Sequence, residues 1–180
     1  MLGIVFTSLV EMLEEKVSPE FADDVLNEAN LVNDGAYTAV GYYPFSELEK
    51  ILAVLVEKTD KSLDELLYDY GVYLFNVLVS NHAEMMANRS SVLDVLVSLD
   101  DDIHVQVRKL YPDADLPSFS VLNKTNESIL LEYHSLHDLY ALAEGLIDGA
   151  ALHFGEHAKH IVTATDKPHT YHIEVTLRAA

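Results

Sequence analysis

Nine histidines and no cysteine define the metal chemistry open to this 180-residue chain. Thiolate sites and disulfides are excluded, so a bound metal must be held by imidazole or carboxylate. Five of the histidines, His153, His157, His160, His169 and His172, crowd the C-terminal region. His157 and His160 form an HxxH pair, but the HExxH helix of a zinc hydrolase is missing and no thiolate completes a tetrahedral set. A structural or adventitious metal site there competes with the plainer reading of solvated polar histidines. There is no G-x-S-x-G, no P-loop, no Rossmann glycine pattern and no distinctive Ser/His/Asp spacing. The acids at 100–102 read as solvated surface rather than as a catalytic pair. A hydrolase is unsupported.

Two places are better suited to chemistry. His104 lies one step from Ile103, at the edge of the apolar stripe Val92, Leu96, Leu99, Ile103, Val107 and Leu110. An imidazole there can reach a pocket beside the helix, or it can pair with Asp100 one turn earlier as an ordinary surface histidine. Tyr133-His-Ser135-Leu-His137 joins a strand end to a helix start. Its hydroxyls can donate to an anion, helped by a helix N-terminus. Equally, Ser135 can be a plain N-cap.

The elements that must position these residues follow from periodicity and caps. Residues 2–16 read as a helix with Ile4, Val5, Leu9 and Leu13 at helical spacing. Ser18-Pro19 starts a second helix with proline at its first position. Residues 29–43 read as a connecting loop through the turn Asn33-Asp34-Gly35. Ser46/Glu49 and Ser62/Glu65 are capping-box patterns before helices that run to about Lys58 and Ser80. Ser91 caps a helix expected to continue to Tyr111, ended by Pro112. Beyond Pro117 the period changes to two. Phe119 and Val121, then Ile129, Leu131 and Tyr133, alternate around a turn at 124–127. Ser135 and Asp138 are expected to start a helix carrying Leu139, Ala143, Leu146, Ile147, Ala150 and Phe154. A last hairpin, 159–165 and 170–178, turns at Asp166-Lys167-Pro168. The fold class is α+β: a helical N-terminal part followed by a ββαββ part with an antiparallel sheet. One domain is expected over 1–180, with a helical subdomain at about 1–60 and the remainder at about 61–180.

Thirty acids against eleven bases give a formal charge of −19. Such a surface repels nucleic acid and anionic lipid, whose binding needs clustered cations. No apolar run of about 20 residues is present, and the N-terminal stretch carries acids and lacks a basic n-region. A cytoplasmic protein is the expectation.

Together these pieces resemble the haem-nitric oxide/oxygen-binding (H-NOX) family, related to the sensor domain of soluble guanylate cyclase. The resemblance runs from Met1-x-Gly3 through Glu65-Leu-Leu-Tyr-Asp-Tyr-Gly71, Asp102-Ile-His104, Arg108-Lys-Leu-Tyr-Pro112 and Leu116-Pro117. It continues through Leu131-Glu-Tyr-His-Ser135 to Glu144-Gly-Leu-Ile-Asp-Gly149. It implies haem b, iron protoporphyrin IX, with His104 as its proximal ligand through a neutral imidazole nitrogen. It also implies that Pro117 presses on the macrocycle. Tyr133 and Ser135 match the first two members of the family's Tyr-x-Ser-x-Arg propionate clamp, and His137 stands where the arginine belongs. Histidine offers at most one well-aimed donor where arginine offers a fixed-charge fork. The distal side implied is Val5, Leu9, Leu74, Leu78, Leu142 and Leu146. Oxygen-binding members place a tyrosine where Leu142 falls. Tyr140, two residues away, is turned by about 200° on a helix. The resemblance therefore implies a nitric oxide sensor that excludes oxygen, not an enzyme. NO would loosen the iron–His104 bond and a separate partner, a histidine kinase or a diguanylate cyclase, would read the movement. Relatives' Cys/His zinc site has no cysteine here. The alternative is a haem-independent acidic interaction module with a decayed clamp, or, more remotely, a metalloenzyme built on the C-terminal histidines.

Overall fold

The computed structural model describes residues 1–178. Several of its helices begin at a serine whose hydroxyl accepts from an orphan N–H of the first turn. Helix α1 spans Ile4–Lys16 and α2 spans Pro19–Glu28, with the Ser18 hydroxyl accepting from the Phe21 amide at 3.1 Å. Helix α3 covers Phe45–Lys58 and α4 covers Leu63–Asn81. At the start of α4 the expected capping box is complete. The Glu65 amide donates to Ser62 Oγ at 3.3 Å, and the Ser62 amide donates to Glu65 Oε2 at 2.8 Å. Ser62→Ala removes one member of that reciprocal pair and should lower the stability of the folded chain by about 1 kcal/mol. Urea unfolding checks this; an unchanged midpoint would mean that the box contributes nothing.

Two helix starts and the length of a third helix differ from expectation. Helix α3 begins two residues early, behind Pro44 in an extended conformation, so Ser46 sits inside the first turn and caps nothing. The expected helix from Ser91 to Tyr111 is broken. Helix α5 spans only Val92–Val97, Leu99–Ile103 form a π turn, and α6 spans His104–Leu110. The carbonyl of Ser98 receives both the Asp102 amide (3.1 Å) and the Ile103 amide (3.0 Å), the second being the wider i→i+5 bond. Leu110, expected on the buried stripe, is exposed. Ser135 and Asp138 do not start a helix either. Ser135 Oγ accepts locally from the His137 amide at 3.3 Å, and Asp138 has φ of 49°, which no helix accommodates. Helix α7 therefore begins at Tyr140 and runs to His153.

Strands β1 (Ser118–Lys124), β2 (Ser128–His134), β3 (Ala158–Ala164) and β4 (Thr170–Leu177) form one antiparallel sheet in the order β1-β2-β4-β3. Period-two alternation sends Ile129, Leu131, Tyr133, Ile173 and Val175 to one buried face, where α5 and α7 cover them. A bulge between Val121 and Asn123 interrupts β1 and leaves Val121 exposed.

Helix α4 serves two cores. Leu66, Leu67, Tyr70 and Leu74 complete the N-terminal core with α1–α3, while Phe75 joins the core under the sheet. Its partner in both is α7, and the two helices cross at glycines. A Cβ on Gly145 would lie 2.1 Å from the Tyr68 carbonyl oxygen, and one on Gly71 would lie 2.4 Å from that of Leu142. The Tyr70 hydroxyl, fully buried, donates to the Val5 carbonyl and lies 2.9 Å from Ser8 Oγ, tying α1 to α4. Among the described residues no helix is long and apolar enough to cross a membrane.

Candidate functional site

Between α1, α4, α6, α7 and the first strands lies a cavity with about 1710 Å³ of space free of protein atoms, part of it open to solvent. Its lining is overwhelmingly hydrocarbon, and its few polar groups are gathered on particular elements.

His104 is one of these. The ring is buried, and its Nδ1 lies 2.8 Å from Asp100 Oδ1. Asp100 is itself fixed, because its Oδ2 accepts from the Phe119 amide at 2.9 Å. Among the described residues Nε2 has no hydrogen-bond partner, and the side chain forms part of the cavity wall. Burial pushes the imidazole below the usual histidine range, against the opposing pull of Asp100, which favours the neutral ring at pH 7. A neutral imidazole whose second nitrogen is held by a carboxylate is the arrangement in which a protein presents a nitrogen to a metal. Asp102, too, is no idle surface acid: it is held by Arg89 and by Gln106 Nε2 at 2.6 Å. Both engagements correct the solvated reading of these acids, and the i, i+4 spacings to His104 and Gln106 were the available signal.

Tyr133, Ser135, His137 and Asp115 also line the cavity. Tyr133 is buried, and burial pushes its hydroxyl up to about 12, so it remains a neutral donor. His137 is more tightly engaged than a clamp residue facing solvent. Its Nε2 lies 2.9 Å from Asp115 Oδ2, and its ring stacks on Phe45 at 3.9 Å between centroids and 23° between planes. Phe45, the first residue of α3, thus brings the N-terminal helices against the clamp loop; sequence offered no signal for a contact 92 residues long-range. Pro117 lies in the wall as well.

Of the expected distal residues, Val5, Leu74, Leu78, Leu142 and Leu146 line the cavity; Leu9 does not. It is buried in the N-terminal core, one turn farther along α1 than Val5. Ile4 and Phe75 line it in addition. Every cavity residue contributed by α1, α4 and α7 is apolar. Tyr140 is not among them: its hydroxyl donates to Asp64 Oδ2 at 3.3 Å and its ring packs 4.8 Å from that of Tyr171.

The cavity fits a haem. It supplies the buried His104 imidazole with Nε2 unpartnered among the described residues, a largely apolar interior, and hydroxyl donors with a histidine where a carboxylate-bearing edge can be met. The C-terminal histidines behave differently. His160 bridges Glu144 and Asp148, His169 pairs with Asp138, and His172 lies 3.9 Å from Glu132. Among the described residues no three His, Asp or Glu side chains are grouped so as to hold a metal ion.

Comparison with known proteins points the same way. A family model described as Haem-NO-binding matches residues 2–162. The chain is similar to the Fe(II) unliganded H-NOX protein from K. algicida, with 31% identity, a TM-score of 0.93, and coverage of 100% of this chain and 98% of that one. It is also similar to an H-NOX protein from S. oneidensis in the Fe(II)NO ligation state, with 25% identity, a TM-score of 0.91, and coverage of 99% and 100%. An oxygen-binding H-NOX domain related to soluble guanylate cyclases, captured as its oxygen complex, shares the fold at 20% identity and a TM-score of 0.82, with coverage of 99% and 96%. No curated protein sequence matches the chain.

Proposed function

The chain belongs to the haem-NO-binding (H-NOX) family, whose members are haem-binding gas sensors rather than catalysts, and from that premise we propose that it is a cytoplasmic nitric oxide sensor that excludes oxygen. A bound haem b would supply a ferrous iron able to take a diatomic gas. His104 would hold that iron through Nε2, with Asp100 fixing the ring's tautomer and orientation through Nδ1. Tyr133 and Ser135 would donate to the propionates, with His137 at the same edge, and Pro117 would bear on the macrocycle. The whole of 1–180 acts as one sensing unit.

The observation that carries the selectivity is the hydrocarbon wall of Val5, Leu74, Leu78, Leu142 and Leu146. Bound oxygen is strongly polar and gains from a hydrogen-bond donor, and an unmet polar group in an apolar site costs about 1–3 kcal/mol. Nitric oxide makes no such demand. Tyr140 supplies no donor because Asp64 and Tyr171 hold it outside. The S. oneidensis relative, by its description, binds NO. Downstream, α6 is the natural reporter. It is only seven residues long, begins at His104, and joins α5 through the π turn rather than by continuous helix. A histidine kinase or a diguanylate cyclase is the proposed reader.

The test is optical. Reduced, haem-loaded protein should show a Soret band that shifts with NO and stays unshifted in air until the iron oxidises. A long-lived oxygenated spectrum would overturn the exclusion of oxygen. No Soret band after haem supplementation would favour the haem-independent interaction module.

A further inference from the structure

Two motifs carry polar side chains that lie outside the haem cavity: Glu65-Leu-Leu-Tyr-Asp-Tyr-Gly71 on α4 and Glu144-Gly-Leu-Ile-Asp-Gly149 on α7. The fold brings them together. Beside the Gly71–Gly145 crossing, the Tyr68 hydroxyl donates to Asp148. From the edge strand β3, His160 reaches the same place, with Nδ1 2.8 Å from Glu144 Oε1 and Nε2 3.2 Å from Asp148 Oδ2. His160 stands opposite Val175 in the sheet register, on the face that packs against α7, and its side chain is 16% exposed.

Both ring nitrogens therefore meet carboxylates. A neutral imidazole has one N–H and satisfies only one of them; the imidazolium satisfies both. The groups facing this cluster are Tyr68 and Asp69 from α4, Glu144 and Asp148 from α7, and Arg178 just beyond β4. The two carboxylates push His160 up to about 9 against the opposing effect of burial.

Glu144 and Asp148 are one turn apart on α7, and Leu142 and Leu146 are each two residues from one of them. On a helix that offset is about 200°, so the ionic cluster and the cavity wall occupy opposite faces of one rod. A roll of α7 moves both. We infer that His160 is a positioning residue for the gas pocket: as a cation bridging Glu144 and Asp148 it pins β3 to α7 and, through Tyr68, α7 to α4, which sets the spacing of Leu74, Leu78, Leu142 and Leu146. This rests on the reading of that wall as the gas pocket. The sign of the pH effect follows. A histidine raised from 6.5 to about 9 on folding contributes fully below about 6.5, and its contribution is lost as pH rises through about 9.

The test uses the purified full chain with its haem content recorded. By NMR, the His160 ring should titrate with a midpoint near 9, and the methyl signals of Leu142 and Leu146 should move with that same midpoint. In the reduced, haem-loaded protein the carbon monoxide dissociation rate should change several-fold across the same range. His160→Gln should show the high-pH rate and methyl positions at every pH. His160→Lys, which keeps a cation, should hold the low-pH values throughout. A His160 ring titrating at the ordinary histidine value, or methyl signals in His160→Gln that match the unmodified protein at neutral pH, overturns the assignment. The methyl readings decide the matter even for a chain that takes up no haem, whereas a missing Soret band counts against the sensor reading alone.

Discussion

Replacing His104 with glycine should abolish stable haem retention in the purified protein and make it dependent on added imidazole. The ring offers an unpartnered Nε2 to the cavity while Asp100 and the Phe119 amide fix its other side. Loss of an outer-shell partner typically costs a metal site 10–100-fold in affinity. Loss of the ligand itself should exceed that range, and Asp100→Asn should fall within it. The ordering is the informative part. Haem content and Soret spectra measured on the two variants, with and without imidazole, give it directly. A glycine variant with full haem content and an unchanged spectrum sinks the ligand assignment. An Asp100→Asn variant as damaged as the glycine would mean that the carboxylate's tie to β1, not its tie to His104, is what matters.

The second large effect concerns the crossing of α4 and α7. Alanine is favoured over glycine inside a helix by about 1 kcal/mol, so on propensity alone Gly145→Ala should stabilise. The crossing reverses the sign. The added methyl would stand 2.1 Å from the Tyr68 carbonyl oxygen and 2.9 Å from Gly71 Cα, and both neighbours are backbone, which cannot rotate aside as a flexible side chain can. The helices must part, separating Leu66, Leu67, Tyr70 and Leu74 from Ala141 and Leu142 in the core they share. Overpacking of this kind costs about 3 kcal/mol, and for a chain of this size that corresponds to roughly 10 °C in melting temperature. Calorimetry checks the sign. A raised melting temperature would show that the helices separate freely, and that their close contact is not what holds the cavity walls.

How far the sequence could be read depended on the range of the interaction. Local signals served well. The Ser62/Glu65 box, the Ser91 cap and the alternation of Ile129, Leu131 and Tyr133 each act within a few residues, and the structure contains all of them. The order ββαββ after Pro117 followed from the same period-two patterns, and the resemblance brought His104, Tyr133 and Ser135 to attention together. Failures fell where a non-local contact overrides local preference. Ser46 looks like a cap, yet α3 starts earlier, where Phe45 meets His137 across 92 positions. Leu9 has the helical spacing of a wall residue, but one turn beyond Val5 it is enclosed by the N-terminal core and does not line the cavity. The π turn leaves no mark in the apolar pattern, because Leu96, Leu99 and Ile103 suit a regular helix equally well. Spacing alone makes Asp100 half of an ordinary i, i+4 pair, since its second bond, to a strand 19 residues on, is invisible to spacing.

The sharing of α4 between two cores also has a consequence for how the chain is made. Helix α4 ends at Asn81 and its partner α7 begins at Tyr140, so about 60 residues separate them. At synthesis rates of about 5–20 residues per second, α4 waits roughly 3–12 s on the ribosome with Leu74 and Phe75 lacking their later cover. During that interval His104 and then Tyr133 are added while the α7 wall is still missing. Of the helices that wall the cavity, α7 is thus the last to be synthesised, and a chain that ends before Tyr140 lacks Leu142 and Leu146.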